Sequence, residues 1–165
     1  LPRLLFSLFC SLALLSATQA QQQLSSIEVK KLNGETIDIL EYVQGQGKTT
    51  VLSFWATWCS PCKKELDAIA DFYPEWQEDF NMELIAVSID TRRAFAKIGP
   101  MVQSRGWDYL ILTDENQQLM QALNVQAVPH TFIISPQGEV LWQHSSYVPG
   151  DEYELEDQLK ALAGE

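Results

Sequence analysis

Three patterns of apolar and polar positions divide this chain. Residues 4–17 form an uncharged, strongly apolar run behind Arg3, closed by Ser16-Ala17-Thr18-Gln19-Ala20 and then by polar Gln21-Gln22-Gln23. Beyond it, short stretches rich in β-branched and aromatic residues predict strands, and apolar positions recurring at three- and four-residue steps predict helices. Residues 27–32 and 36–40 flank Asn33-Gly34, a strong hairpin signal. Residues 49–55 read as a buried strand, followed by a helix over about 60–78 whose stripe is Leu66, Ile69, Tyr73, Trp76 and Phe80. Pro74 is expected to kink or restart that helix.

The pattern continues with a buried strand over 84–89, a helix over 92–104 disturbed by Pro100, a short strand over 109–112 and a short helix over 117–123. Residues 131–134 and 140–143 flank Ser135-Pro136-Gln137-Gly138 and predict a second hairpin. A last helix over 151–163 turns Leu155, Leu159 and Leu162 to the core. Strands alternating with helices, then a hairpin and a helix, describe an α/β fold with a mixed sheet and helices on both faces.

The opening run is shorter than a membrane-spanning helix requires and has the layout of a secretory signal peptide. The domain reading is therefore a signal peptide over 1–20 and one folded domain over 21–165. Phe9 before Cys10 is bulky where a lipidation site wants a small residue, so lipidation is not the preferred reading; an uncleaved segment would act as a tether. At 165 residues, with 46% hydrophobic and 20% charged, the chain suits one domain with a core. The net charge of −11 argues against a nucleic-acid face and against docking on anionic membranes. Removal of 1–20 takes away Arg3 and Cys10 and leaves ten basic against 22 acidic residues, a net −12. Only Cys59 and Cys62 then remain, a pair that an oxidising exported compartment can close. Asp151, Glu152, Glu154, Glu156 and Asp157 read most simply as the acidic start of a solvated helix; a docking surface for a basic partner is the sharper alternative.

The chemistry concentrates in Trp58-Cys59-Ser60-Pro61-Cys62, which follows a strand and opens a helix. A helix N-terminus offers unpaired N–H groups and partial positive charge, both favouring a thiolate at Cys59. Thiols so placed commonly titrate between about 3.5 and 7.5. Cys62 lies one turn along, within disulfide reach, and Pro61 falls where a missing N–H costs nothing. Cys59 is then the nucleophile that attacks a disulfide, and Cys62 the residue that resolves the mixed disulfide. A structural disulfide closing so short a loop would constrain the unfolded chain little. A zinc site needs two further ligands, and His130 and His144 lie 68 and 82 residues beyond Cys62.

Trp-Cys-x-Pro-Cys after an apolar strand, with a later Val-Pro before a strand, resembles the thioredoxin fold. The segment Phe54-Trp55-Ala56-Thr57-Trp58-Cys59-Ser60-Pro61-Cys62-Lys63-Lys64-Glu65 and Val87-Ser88-Ile89-Asp90, with Val125-Gln126-Ala127-Val128-Pro129-His130-Thr131-Phe132-Ile133-Ile134 and Gln137-Gly138, resembles the TlpA/ResA-like branch of exported thiol-disulfide oxidoreductases. The match runs from about Ile27 to Leu162. It implies a thioredoxin-like mixed sheet with an N-terminal β-hairpin and an inserted strand and helix between the active-site helix and Pro129. Pro129 carries over as the family's cis-proline, leaving the Val128 backbone free to pair with substrate. Ser53 stands where typical thioredoxins carry a buried Asp, and the resemblance puts Glu65 forward as the substitute proton carrier; the plain alternative is a solvated Glu beside Lys63 and Lys64.

Trp58, Pro61, Val128, Pro129 and His130 are the candidate substrate-binding surface. For His130 the plain alternative to a group that tunes Cys59 is an ordinary half-exposed strand histidine. The resemblance implies a periplasmic reductase of exported disulfide proteins, apocytochrome c thiols among them, fed by a membrane thiol carrier. No nicotinamide or flavin motif is present, so no cofactor is expected, and the domain is expected to be a monomer without membrane insertion after signal cleavage. Net oxidation or isomerisation uses the same residues, and a Cu(I) site of Cys59, Cys62 and His130 is the alternative from another class. A peroxidase of peroxiredoxin type is disfavoured, because that family's Pro and Thr before the peroxidatic cysteine are here Leu52 and Ala56.

Overall fold

The computed structural model describes residues 22–164, so the expected signal peptide over 1–20, with Cys10, lies outside the described residues. A hairpin of β1 (Glu28–Lys31) and β2 (Thr36–Asp38) opens the domain, followed by α1 (Ile39–Gln46) and β3 (Thr49–Trp55). The long α2 (Ser60–Phe80) leads to β4 (Met82–Ser88). A 3-10 turn (Phe95–Lys97), α3 (Ile98–Arg105), β5 (Leu110–Thr113) and α4 (Gln118–Ala122) come next. The domain ends with the hairpin β6 (His130–Ile134) and β7 (Val140–Ser145) and with α5 (Asp151–Ala163). One seven-stranded sheet has the order β2-β1-β5-β4-β3-β6-β7. The pairs β3–β4 and β4–β5 are parallel and the others antiparallel. The fold is thioredoxin-like, with the expected N-terminal hairpin; between α2 and Pro129, where one inserted strand and helix are expected, β5 is flanked by two helices, α3 and α4.

The central strands are apolar on both faces because both faces are covered. Every residue of β4 is buried, and all of β3 after Thr49. Strand side chains alternate, and the contacts assign the faces. Ser53 and Thr131 reach Glu65 of α2, so odd positions of β3 and β6 lie beneath that helix. On the other face Thr50 bonds Glu83, Tyr42 of α1 bonds the same carboxylate, and Phe54 packs edge-on against Phe132. Trp55, Trp76, Phe54 and Phe132 are the largest fully buried side chains, each adding roughly 1.5–3 kcal/mol or more by leaving water.

Four local expectations need correction. The second strand ends at Asp38 rather than at residue 40, because the Asp38 side chain accepts from the Glu41 N–H at 3.0 Å and caps α1, a helix the pattern did not announce. Helix α2 runs through Pro74 as one element. The single backbone bond lost there costs about 3 kcal/mol, and burial of Tyr73, Trp76 and Phe80 around it outweighs that cost. Pro100 is the third residue of α3, where its missing N–H has no intrahelical partner to lose, so it opens that helix instead of disturbing it. Leu162 is 46% exposed, since the final turn of α5 carries no buried side chain. At the turn before β7, Gly138 has φ +93° and a Cβ there would sit 2.6 Å from Leu40 Cδ1, so both backbone and space demand glycine.

Candidate active site

The site is built where β3 ends and α2 begins. Cys59 is the N-cap of α2, in extended conformation, and its Sγ accepts from the Cys62 N–H at 3.2 Å. Ser60 and Pro61 occupy the first turn, and Cys62 follows with its side chain fully buried. The two cysteines form a disulfide with their Cα atoms 5.4 Å apart. Cys59 is 4% exposed while its chain neighbour Trp58 is 69% exposed, so a solvent-facing indole adjoins a nearly covered cysteine. Across from them the Val128–Pro129 peptide is cis, and the Val128 carbonyl oxygen lies 3.7 Å from Cys59 Sγ. In the dithiol state a thiolate at Cys59 would sit at a helix N-terminus and accept from the Cys62 N–H, the arrangement that stabilises negative charge on sulfur.

Glu65 lies one turn beyond Cys62 and is buried under the sheet side of α2. Ser53 Oγ donates to one carboxylate oxygen at 3.0 Å and Thr131 Oγ1 to the other at 2.8 Å. Burial pushes the carboxyl up to about 7, against the lowering effect of those two hydroxyls. A carboxyl of that kind can hold or release a proton at neutral pH. The acid therefore enters from the helix, and Ser53 serves it from the strand. Lys63 turns away and donates to the Thr57 carbonyl at 3.0 Å.

His130 sits on the opposite face of the sheet from Glu65, stacked on Phe132 at 4.6 Å. Its Nε2 pairs with Gln143 Oε1 at 3.1 Å and its Nδ1 with Ser145 Oγ at 3.0 Å. Burial holds its pKa below the ordinary histidine value. Both ring nitrogens are thus engaged by side chains of β7. The geometry brings Cys59, Cys62 and the Val128–Pro129 peptide together, sets Glu65 one turn behind them on α2, and ties both His130 nitrogens to β7.

Two contributors carried no signal of their own in the sequence reading. Thr131 supplies the second donor to Glu65. Asp90, 1% exposed, accepts from the Thr57 N–H at 2.7 Å, from Thr57 Oγ1 at 2.8 Å and from Ser88 Oγ at 2.8 Å, and so braces the loop that presents Trp58 and Cys59. An acidic residue directly after the predicted buried strand over 84–89 was the available clue.

The model for the AhpC/TSA family matches residues 20–143. Thiol-disulfide oxidoreductase ResA of Bacillus subtilis is 31% identical over 109 residues, which are 66% of this chain and 58% of that protein. ResA of Oceanobacillus iheyensis is 32% identical over 95 residues, 58% of this chain and 48% of that one. The chain thus spans about half the length of these curated relatives. The solution structure of an uncharacterized thioredoxin-like protein from Porphyromonas gingivalis superposes with a TM-score of 0.75 at 36% identity, covering 87% of this chain and 94% of that one. With residues 20–143 matched and the fold shared, the chain belongs to the AhpC/TSA family of redox enzymes, where it is similar to the ResA-type thiol-disulfide oxidoreductases.

Proposed function

We propose that this protein is an exported thiol-disulfide oxidoreductase that reduces disulfides of other exported proteins through Cys59 and Cys62. The observation that carries the reading is the disulfide at the N-terminus of α2, with Cys59 Sγ facing the Cys62 N–H and lying near the Val128 carbonyl. The Cys59 thiolate attacks one sulfur of the substrate disulfide, forming a mixed disulfide and releasing the other sulfur as a thiolate. Cys62 loses its proton, attacks Cys59 Sγ and expels the second substrate sulfur. The substrate gains two electrons and the protein leaves as the Cys59–Cys62 disulfide. Glu65 is the acceptor for the Cys62 proton, and Trp58, Pro61 and the Val128–Pro129 backbone form the surface against which the substrate chain lies.

The exported, periplasmic location rests on the segment over 1–20; among the described residues no helix is long and apolar enough to cross a membrane. A membrane thiol carrier is the proposed electron source. Leu52 and Ala56, where a peroxiredoxin has its Pro and Thr, favour thiol exchange over peroxide reduction. The engagement of both His130 nitrogens by Gln143 and Ser145 weighs against a Cu(I) site using that ring. Titration of the Cys59–Cys62 couple in thiol/disulfide buffers tests the direction. A potential near that of thioredoxin, about −270 mV, supports a reductase, and one near −120 mV overturns it in favour of an oxidant of exported thiols.

A further inference from the structure

A narrow cavity of about 10 Å³, room for about one water, lies behind the active site between α2, β6, β7 and α5. Glu65 and Thr131 line one part of it, and His144, Tyr147, Asp151 and Glu152 line the rest. His144 Nε2 stands 3.3 Å from Asp151 Oδ2, and the two side chains are 29% and 23% exposed, so they touch both solvent and the cavity. Tyr147 is buried and donates to Glu152 Oε2 at 2.8 Å. The His144 ring also stacks on Trp142 at 5.7 Å, which fixes it at this place.

We propose that this cavity, with the His144–Asp151 pair at its mouth, is the path by which Glu65 exchanges its proton with solvent while a substrate covers the cysteine side. The proposal rests on the oxidoreductase reading above. Glu65 is 5% exposed, and a docked chain over Trp58 and Pro129 closes the front of the site. Glu65 can take the Cys62 proton only if it is ionised, and a molecule that docks substrate with Glu65 protonated must first lose that proton. The proton then passes from the Glu65 carboxyl through a cavity water to the His144 imidazole, and the partly exposed imidazolium releases a proton to bulk water. No electrons move; Glu65 ends ionised, bulk water gains the proton and His144 ends neutral. Asp151 positions the ring. The charges facing Glu65 from its neighbours are Asp151 and Glu152 on α5, with His144 on β7 and Tyr147 after it. The Asp151 charge also adds to the upward push on the Glu65 carboxyl.

His144→Phe keeps the stack on Trp142 and removes the proton-carrying nitrogens. Single-turnover oxidation of the full-chain dithiol by insulin at pH 7 should slow on the order of tenfold, and added imidazole should restore it. Asp151→Asn keeps an acceptor for the Val148 N–H and should shift the midpoint of the rate-versus-pH profile downward, since one negative charge near Glu65 is gone. An unchanged His144→Phe rate overturns the proposal. So does a loss that imidazole does not restore, because that marks a merely structural contact, and so does an Asp151→Asn profile that stays in place. If the unaltered dithiol fails to reduce insulin at all, the oxidoreductase reading itself falls, which is a separate result.

Discussion

Ser53 Oγ of β3 donates to Glu65 Oε2 of α2 across 3.0 Å, joining residues of two elements beneath the disulfide. Thr131 completes the carboxylate from β6. Two neutral hydroxyls satisfy the oxygens without supplying positive charge, so burial decides the protonation.

That balance makes stability depend on pH. The folded-state value of about 7 lies above the ordinary 4.5, so the folded protein binds the extra proton between them. The stabilisation is fully present below about pH 4.5 and is lost as pH rises through 7, by up to about 3 kcal/mol. Denaturant unfolding of the oxidised protein should show this fall between pH 5 and pH 8, and Glu65→Gln should flatten it. A wild-type protein equally stable at both pH values contradicts the assignment.

Removing the resolving sulfur should trap the intermediate. Cys62→Ser, reduced and mixed with a protein disulfide, is expected to accumulate a mixed disulfide through Cys59, while Cys59→Ser accumulates none. Mass spectrometry of quenched samples reads the difference. An adduct on Cys62 in the Cys59→Ser protein would reverse the assigned roles.

Asp90 ties the Thr57 loop to the end of β4. Asp90→Ala leaves the Thr57 N–H, Thr57 Oγ1 and Ser88 Oγ without their acceptor, at a cost of about 3 kcal/mol. Urea midpoints check the loss. Alkylation of reduced Cys59 should also become faster as its cover loosens; unchanged stability would show that water replaces the carboxylate.

Trp58 separates binding from folding. At 69% exposure it contributes little to the core, so Trp58→Ala should change stability by no more than about 0.5 kcal/mol. The KM for a protein disulfide should rise several-fold with kcat nearly kept. A fall in kcat alone would instead assign Trp58 to the chemistry.

Much of this arrangement was legible beforehand. The strand over 49–55, the helix from Ser60 and the two hairpins follow from period and turn chemistry, and the Cys-x-Pro-Cys motif announces itself at the strand-to-helix junction. Glu65 was half legible: it lies three residues after Cys62 and four before Ile69, on the buried stripe, yet it also neighbours Lys63 and Lys64. Helix α1 was missed because a three-residue strand runs straight into an Asp38 cap, without an intervening loop to mark the change.

Local sequence determined where the thiols stand and what they can do, because a helix cap and a one-turn spacing involve only neighbouring residues. The tertiary structure alone decided the protonation of Glu65, the brace from Asp90 and the His144–Asp151 pair. Their partners lie 12 and 66, 33, and seven residues away along the chain. Which of them meet, and how far from water, depends on sheet register and on which face each helix covers.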